Sequence, residues 1–147
     1  MKIISLILIL FLVGCSEYEE PVRDVDSELE MYVSDFETRF NVAVNYSVKL
    51  VPLPGSTIGM CHGFKSSYPS VSIDIDFFNA NKHDYILIQH LIYHELGHCS
   101  LRLDHDHSFL ENGYPSSIMF PSFFGGFTYY RNNIEYYFNE LELKWTN

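Results

Sequence analysis

Asp84-Tyr85-Ile86-Leu87-Ile88-Gln89-His90-Leu91-Ile92-Tyr93-His94-Glu95-Leu96-Gly97-His98-Cys99-Ser100-Leu101 is the stretch around which the rest of the chain can be read. A short acidic residue precedes a long apolar segment free of proline, so a helix is predicted from about Asp84 to Leu101, with Asp84 as its cap. Residues four apart share a helix face, so His94 and His98 can both reach one metal ion at about 2.0–2.1 Å. Glu95 points in a neighbouring direction, where it suits a general base acting on water rather than a ligand. His90 lies one turn earlier on nearly the same face, but a third ligand there would drift off the metal, and a packed role is expected for it.

Downstream, Cys99-Ser100-Leu101-Arg102-Leu103-Asp104-His105-Asp106-His107 offers further ligands soon after the helix ends. Beyond it, the turn-like Gly113-Tyr114-Pro115-Ser116 leads into Ser117-Ile118-Met119-Phe120-Pro121. From His94 to Pro121 the chain resembles the metzincin metallopeptidases, whose extended motif HExxHxxGxxH is followed by a Met-turn. The resemblance implies zinc as the metal, Met119 as the apolar floor beneath it, and a small metzincin-like fold. It also implies that an extended peptide pairs with a sheet edge near the active helix, a place the strand Val71–Asp76 would take. In some metzincins a tyrosine after the Met-turn assists the transition state. Tyr129 and Tyr130 are the candidates, with a core or lid role as the alternative.

The spacing departs from the family pattern. Glycine and the third ligand would fall at Leu101 and Asp104, giving a His-His-Asp set. If one residue is added, Arg102 takes the turn and His105 becomes the third ligand. A glycine suits that turn because it needs positive φ. His105 is preferred, since neutral imidazole is a common zinc ligand and Asp104 could then accept a hydrogen bond nearby. His107 is a weaker third choice.

Upstream, Leu29, Tyr32/Val33, Phe36 and Phe40 share a face, and Ser27 and Glu30 have capping-box spacing, so a helix is expected from Ser27. Val42–Leu50 alternates as a half-buried strand, a second strand is expected near Thr57–Cys61, and Ser70–Asp76 alternates with Val71, Ile73 and Ile75 inward. Asn133–Leu143 reads as a closing amphipathic helix. Phe123-Phe124-Gly125-Gly126-Phe127 is an aromatic loop, by default packed and otherwise a lip for an apolar substrate residue. The order of elements predicts an α+β domain with a short mixed sheet, an active-site helix and a C-terminal helix. Asp74, Asp76 and Asp106 follow no calcium-loop pattern and read as solvated charges. His62 and His83 read as loop or surface residues.

The first fourteen residues form a basic start and a short apolar run, a secretory leader too short for a comfortable membrane span. Leu12-Val13-Gly14-Cys15 resembles the lipobox of bacterial lipoproteins, which implies lipidation of Cys15 and a chain anchored in the bacterial cell envelope, with the outer membrane or periplasmic face favoured. Residues 15–26 then read as the lipidated cysteine and an acidic tether, and residues 27–147 as the domain. A formal charge of −10 argues against nucleic acid as a partner and against a polybasic membrane contact. Export places the two remaining cysteines, Cys61 and Cys99, where a disulfide is permitted; two separate buried thiols are the alternative.

The leading functional reading is a zinc metalloendopeptidase acting on a peptide or protein substrate and tethered to a membrane through Cys15. A gluzincin-like enzyme would instead draw its third ligand from Glu135 or Glu140. A noncatalytic lipoprotein with a metallopeptidase-like fold, used for binding, is the reading from another class.

Overall fold

A computed structural model describes residues 22–122 and 127–146. The leader, Cys15, the tether as far as Pro21 and the Phe123–Gly126 part of the aromatic loop lie outside the described residues. Within them, the elements run β1 (Asp24–Val25), α1 (Glu30–Phe40), β2 (Ser47–Val51), β3 (Gly59–His62), β4 (Ser70–Asp74), α2 (Ile75–Asn81), α3 (Tyr85–Cys99), α4 (Phe127–Asn132) and α5 (Ile134–Thr146). This is a small α+β domain with a four-stranded mixed sheet ordered β1-β2-β4-β3. β1, β2 and β4 are parallel, and β3 returns antiparallel beside β4.

α3 is buried on most of its circumference, from Ile88 to Leu96 on every side but that of His94. An apolar helix without a polar face needs cover all round. β3 and β4 pack on one side, α1 on another and α5 on a third. Tyr93 marks the junction: its ring meets Phe36 at 5.1 Å and Phe138 at 4.8 Å. Its hydroxyl donates to Asp35 Oδ2 at 2.6 Å, which answers the one polar atom carried into that core. Asp84 caps α3 by accepting from the Leu87 N–H at 3.1 Å.

Several local expectations yield to longer-range partners. The acidic segment read as tether ends earlier than residue 26, because Asp24 and Val25 pair with Ser47 and Val48 of β2. Asp26 fastens the segment: its carboxylate accepts from the Leu50 N–H at 2.8 Å and from Lys49 at 3.1 Å. Charges that look solvated in sequence are matched here by cations remote along the chain.

The Ser27–Glu30 capping box does not form. α1 starts at Glu30 behind Leu29 with no side-chain cap, Ser27 turns its hydroxyl to Glu28, and Glu30 is held by Arg23 at 2.6 Å. The strand expected to reach Asp76 stops at Asp74, whose carboxylate accepts from Phe77 N–H at 2.7 Å and Leu53 N–H at 2.9 Å. That cap opens α2, so Ile75 begins a helix instead of pointing inward from a strand. The alternation of Val44, Tyr46 and Val48 is real burial, but only Ser47–Val51 joins the ladder.

Ser70–Asp74 is also not the edge strand. β4 is flanked by β2 and β3, and β3 holds the edge beside α3.

Candidate metal centre

One turn of α3 separates His94 from His98, and each ring is oriented by a backbone carbonyl. His94 Nδ1–H donates to Ile118 O at 2.8 Å, and His98 Nδ1–H donates to Leu103 O at 2.6 Å. A carbonyl only accepts, so these bonds put the proton on Nδ1 and leave the Nε2 lone pairs facing the cleft. The two Nε2 atoms lie 3.1 Å apart. His105 brings its own Nε2 to 3.3 Å from that of His94, and one atom from each of the three residues falls within a 4.8 Å cluster.

Burial pushes the pKa of His94 down to about 4, against the opposing bond to Ile118, and it also lowers those of His98 and His105. The three rings are therefore predominantly neutral at pH 7, and the Nε2 lone pairs of His94 and His98 face the Nε2 of His105. Tetrahedral bonds of about 2.1 Å to a common ion would separate such nitrogens by about 3.4 Å. The donor set fits a metal ion, and its chemistry suits zinc among others.

How His105 arrives is legible in the backbone. α3 ends in a left-handed turn in which Arg102 has φ 57° and the Leu103 N–H reaches back to Gly97 O at 3.1 Å. Arginine takes the left-handed position here, where glycine is usual. The turn carries the chain round so that Leu103 O meets His98 and His105 faces the other two rings. Asp104 lines the same cleft but is not in the cluster of ligand atoms, and its carboxylate accepts from Lys65 Nζ at 2.8 Å.

Met119 lies fully buried under the helix. Its Sδ approaches so closely that a Cβ on Gly97 would sit 2.5 Å from it. The turn bearing Met119 is pinned by Ser117, whose Oγ accepts from Met119 N–H at 3.1 Å and donates to Glu140 at 2.8 Å. Lys144 joins Glu140 to Asp106, so α5 ties the Met119 turn to the segment just after His105.

Glu95 is 6% exposed and faces β3. Burial raises its carboxyl to a pKa of about 7, opposed by a hydrogen bond from the backbone of Cys61. A Cβ on Gly59 would lie 2.6 Å from Glu95 Oε1, so the missing side chain makes room for this carboxylate. Ile58 O accepts from Asp74 N–H at 2.9 Å, and strand alternation then turns the backbone groups of Gly59 and Cys61 away from β4 and toward the cleft. The cleft has a volume of about 500 Å³ and is bounded by β3, α3, the His105 segment and Phe120–Ser122. Cys61 and Cys99 form a disulfide that joins β3 to the end of α3 next to His98.

The other candidates are not in the cluster of ligand atoms, although His90 lines the cleft and the His107 ring lies 6.3 Å from that of His105. His90 is 3% exposed and packs on Tyr130 at 4.6 Å, and burial drives its pKa down to about 3. His62 shares a hydrogen bond with Ser72 at 2.9 Å on the sheet, His83 is exposed, and His107 lies beside Phe120. Tyr129 stacks on Tyr114 at 4.0 Å and its hydroxyl accepts from Asn112, whereas Tyr130 is core. Glu135 pairs with Arg39 and Glu140 with Lys144, and neither belongs to the cluster of ligand atoms. Of the sequence candidates, the structure brings together His94, His98, His105, Glu95 and Met119. Sequence reasoning missed Gly59, Gly97 and the carbonyls of Leu103 and Ile118. Gly97 stands inside the motif in plain view, but its reason lies in a residue 22 positions later. Compared with known proteins, the chain matches no family model, no curated protein and no solved structure.

Proposed function

We propose that this chain is a zinc-dependent metallopeptidase of the metzincin type that hydrolyses bonds within peptide chains. The observation that carries the reading is the convergence of three neutral imidazole Nε2 atoms, at 3.1 and 3.3 Å, beside a buried carboxylate. A zinc ion held by His94, His98 and His105 would supply Lewis-acid chemistry toward a peptide carbonyl and toward water. Glu95 takes a proton from the attacking water and gives it to the leaving amine. β3 offers the outward backbone groups of Gly59 and the carbonyl of Cys61, whose N–H is taken by Glu95, to an extended substrate, which orients the scissile bond over the histidines. The carbonyls of Ile118 and Leu103 hold two of the rings in place, and Met119 packs beneath Gly97 of the helix that carries them.

The lipobox-like Leu12–Cys15 supports placing the enzyme in a bacterial envelope, anchored by lipid at Cys15. Among the described residues no helix is long and apolar enough to cross a membrane.

The test is zinc content and cleavage of a peptide library by the domain, beside Glu95→Gln. One zinc per chain, with hydrolysis lost in a variant that keeps its zinc, is the expected result. Zinc binding without hydrolysis in either protein would leave a binding lipoprotein, and no zinc after loading would end the metallopeptidase reading.

A further inference from the structure

The open side of the histidine cluster is crossed by a strap that the reaction does not use. Between β3 and β4 the chain turns tightly, with Gly63 at φ 66° and Lys65 at φ 62°. Ser66 N–H donates to Gly63 O at 2.7 Å, and a Cβ on Gly63 would meet Ser66 Oγ at 2.6 Å. The turn aims Phe64 edge-on at the His98 ring, with centroids 5.6 Å apart. It also sends Lys65 across to Asp104, Nζ to Oδ2 2.8 Å, with the ammonium 4.6 Å from the centre of the Phe64 ring. Asp104 immediately precedes His105, so the bridge runs from the β3–β4 hairpin to the ligand-bearing segment. Phe64 and Asp104 both line the cleft.

Position along β3 assigns the part of a substrate that meets this strap. Glu95, held between the backbones of Gly59 and Cys61 while Phe64 stands further along the chain against His98, hands its proton to the leaving amine, so the amine half lies toward Gly59 and Leu91. The acyl half extends the opposite way along β3, past His62 and toward Phe64. We propose that the Phe64–Lys65 strap is a specificity determinant that bounds the cleft on the acyl side, so that preferred substrates are peptides with few residues before the bond that is cut. This rests on the peptidase reading and narrows it. The Phe64 ring is the wall, and the Lys65–Asp104 pair is its latch. With side chains 52% and 71% exposed, that latch is weak and screened by salt.

The experiment uses synthetic peptides sharing one scissile bond, with the acyl side lengthened one residue at a time. Hydrolysis is measured with the zinc-loaded protein, and affinity with its Glu95→Gln form. Wild type should lose at least about tenfold in kcat/KM and in affinity between the shortest and longest peptides, one decade in a binding constant. Phe64→Ala and Lys65→Ala should flatten that ratio, and raised salt should flatten it in wild type but change little in Lys65→Ala. Equal handling of long and short peptides by wild type, or an unchanged ratio in both variants, would overturn the proposal. If no peptide is cut while the Glu95→Gln form still discriminates by length, the strap stands and the peptidase reading fails.

Discussion

Met119 Sδ occupies the space that a side chain on Gly97 would need, 2.5 Å from where its Cβ would be. The helix that carries two metal-ligand candidates and the turn beneath them are thus in contact through a missing methyl group. Gly97→Ala ordinarily favours a helix by about 0.5–1 kcal/mol. Overpacking a filled core costs about 1–3 kcal/mol, so the variant should be less stable, with a lower Tm and weaker zinc binding. Met119→Leu, which preserves volume, should cost less than about 1.5 kcal/mol. A thermal melt that rises in Gly97→Ala would show that the close approach is not enforced.

Arg102 holds a left-handed conformation at the end of α3, which disfavours any side chain with a Cβ by about 1–2 kcal/mol. Arg102→Gly should therefore raise stability by about 1 kcal/mol, offset in part by the greater freedom of glycine in the unfolded chain. Zinc binding should survive, since Leu103 O still meets His98. Denaturant unfolding with and without zinc checks both statements.

His105 faces the cluster and Asp104 does not. His105→Ala should abolish stoichiometric zinc binding and the Tm increment that zinc provides, because a ligand that binds only the folded state stabilises it by mass action. Asp104→Ala should keep both. Calorimetric titration with zinc separates the two, and loss of binding in the aspartate variant would restore the family spacing.

Asp26 links β1 to β2 through Leu50 N–H and Lys49. Burial alone would raise its pKa, but the bonds from Leu50 and Lys49 outweigh it, and the folded value lies below the ordinary 3.8. The ionised carboxylate therefore stabilises the fold above that pH, and the contribution disappears as pH falls through the lower folded value. Asp26→Asn should be less stable than wild type at neutral pH and should converge with it in acid. Parallel stability curves at both ends of the range would contradict this.

Much of the site was legible because its grammar is local. The i, i+4 spacing of His94 and His98, the cap at Asp84 and the apolar segment between them define a helix and one face of it. The α+β order followed from similar periodicities. α2 was hidden because Ile73-Asp74-Ile75-Asp76 keeps alternating while Asp74 caps a helix instead. The Ser27–Glu30 box was legible and misleading, since Arg23 claims Glu30.

What the sequence determined by itself was the set of candidate residues: two helical histidines and the glutamate between them, with a methionine downstream. Tertiary structure placed His105, and not Asp104, beside the other two rings, moved the cleft edge from β4 to β3, and joined Cys61 to Cys99. The physical reason is range. Periodicity records which face of an element is buried, whereas a left-handed turn at Arg102, a strand order or a contact between Gly97 and Met119 depends on pairings between segments far apart in the chain, which local pattern does not encode.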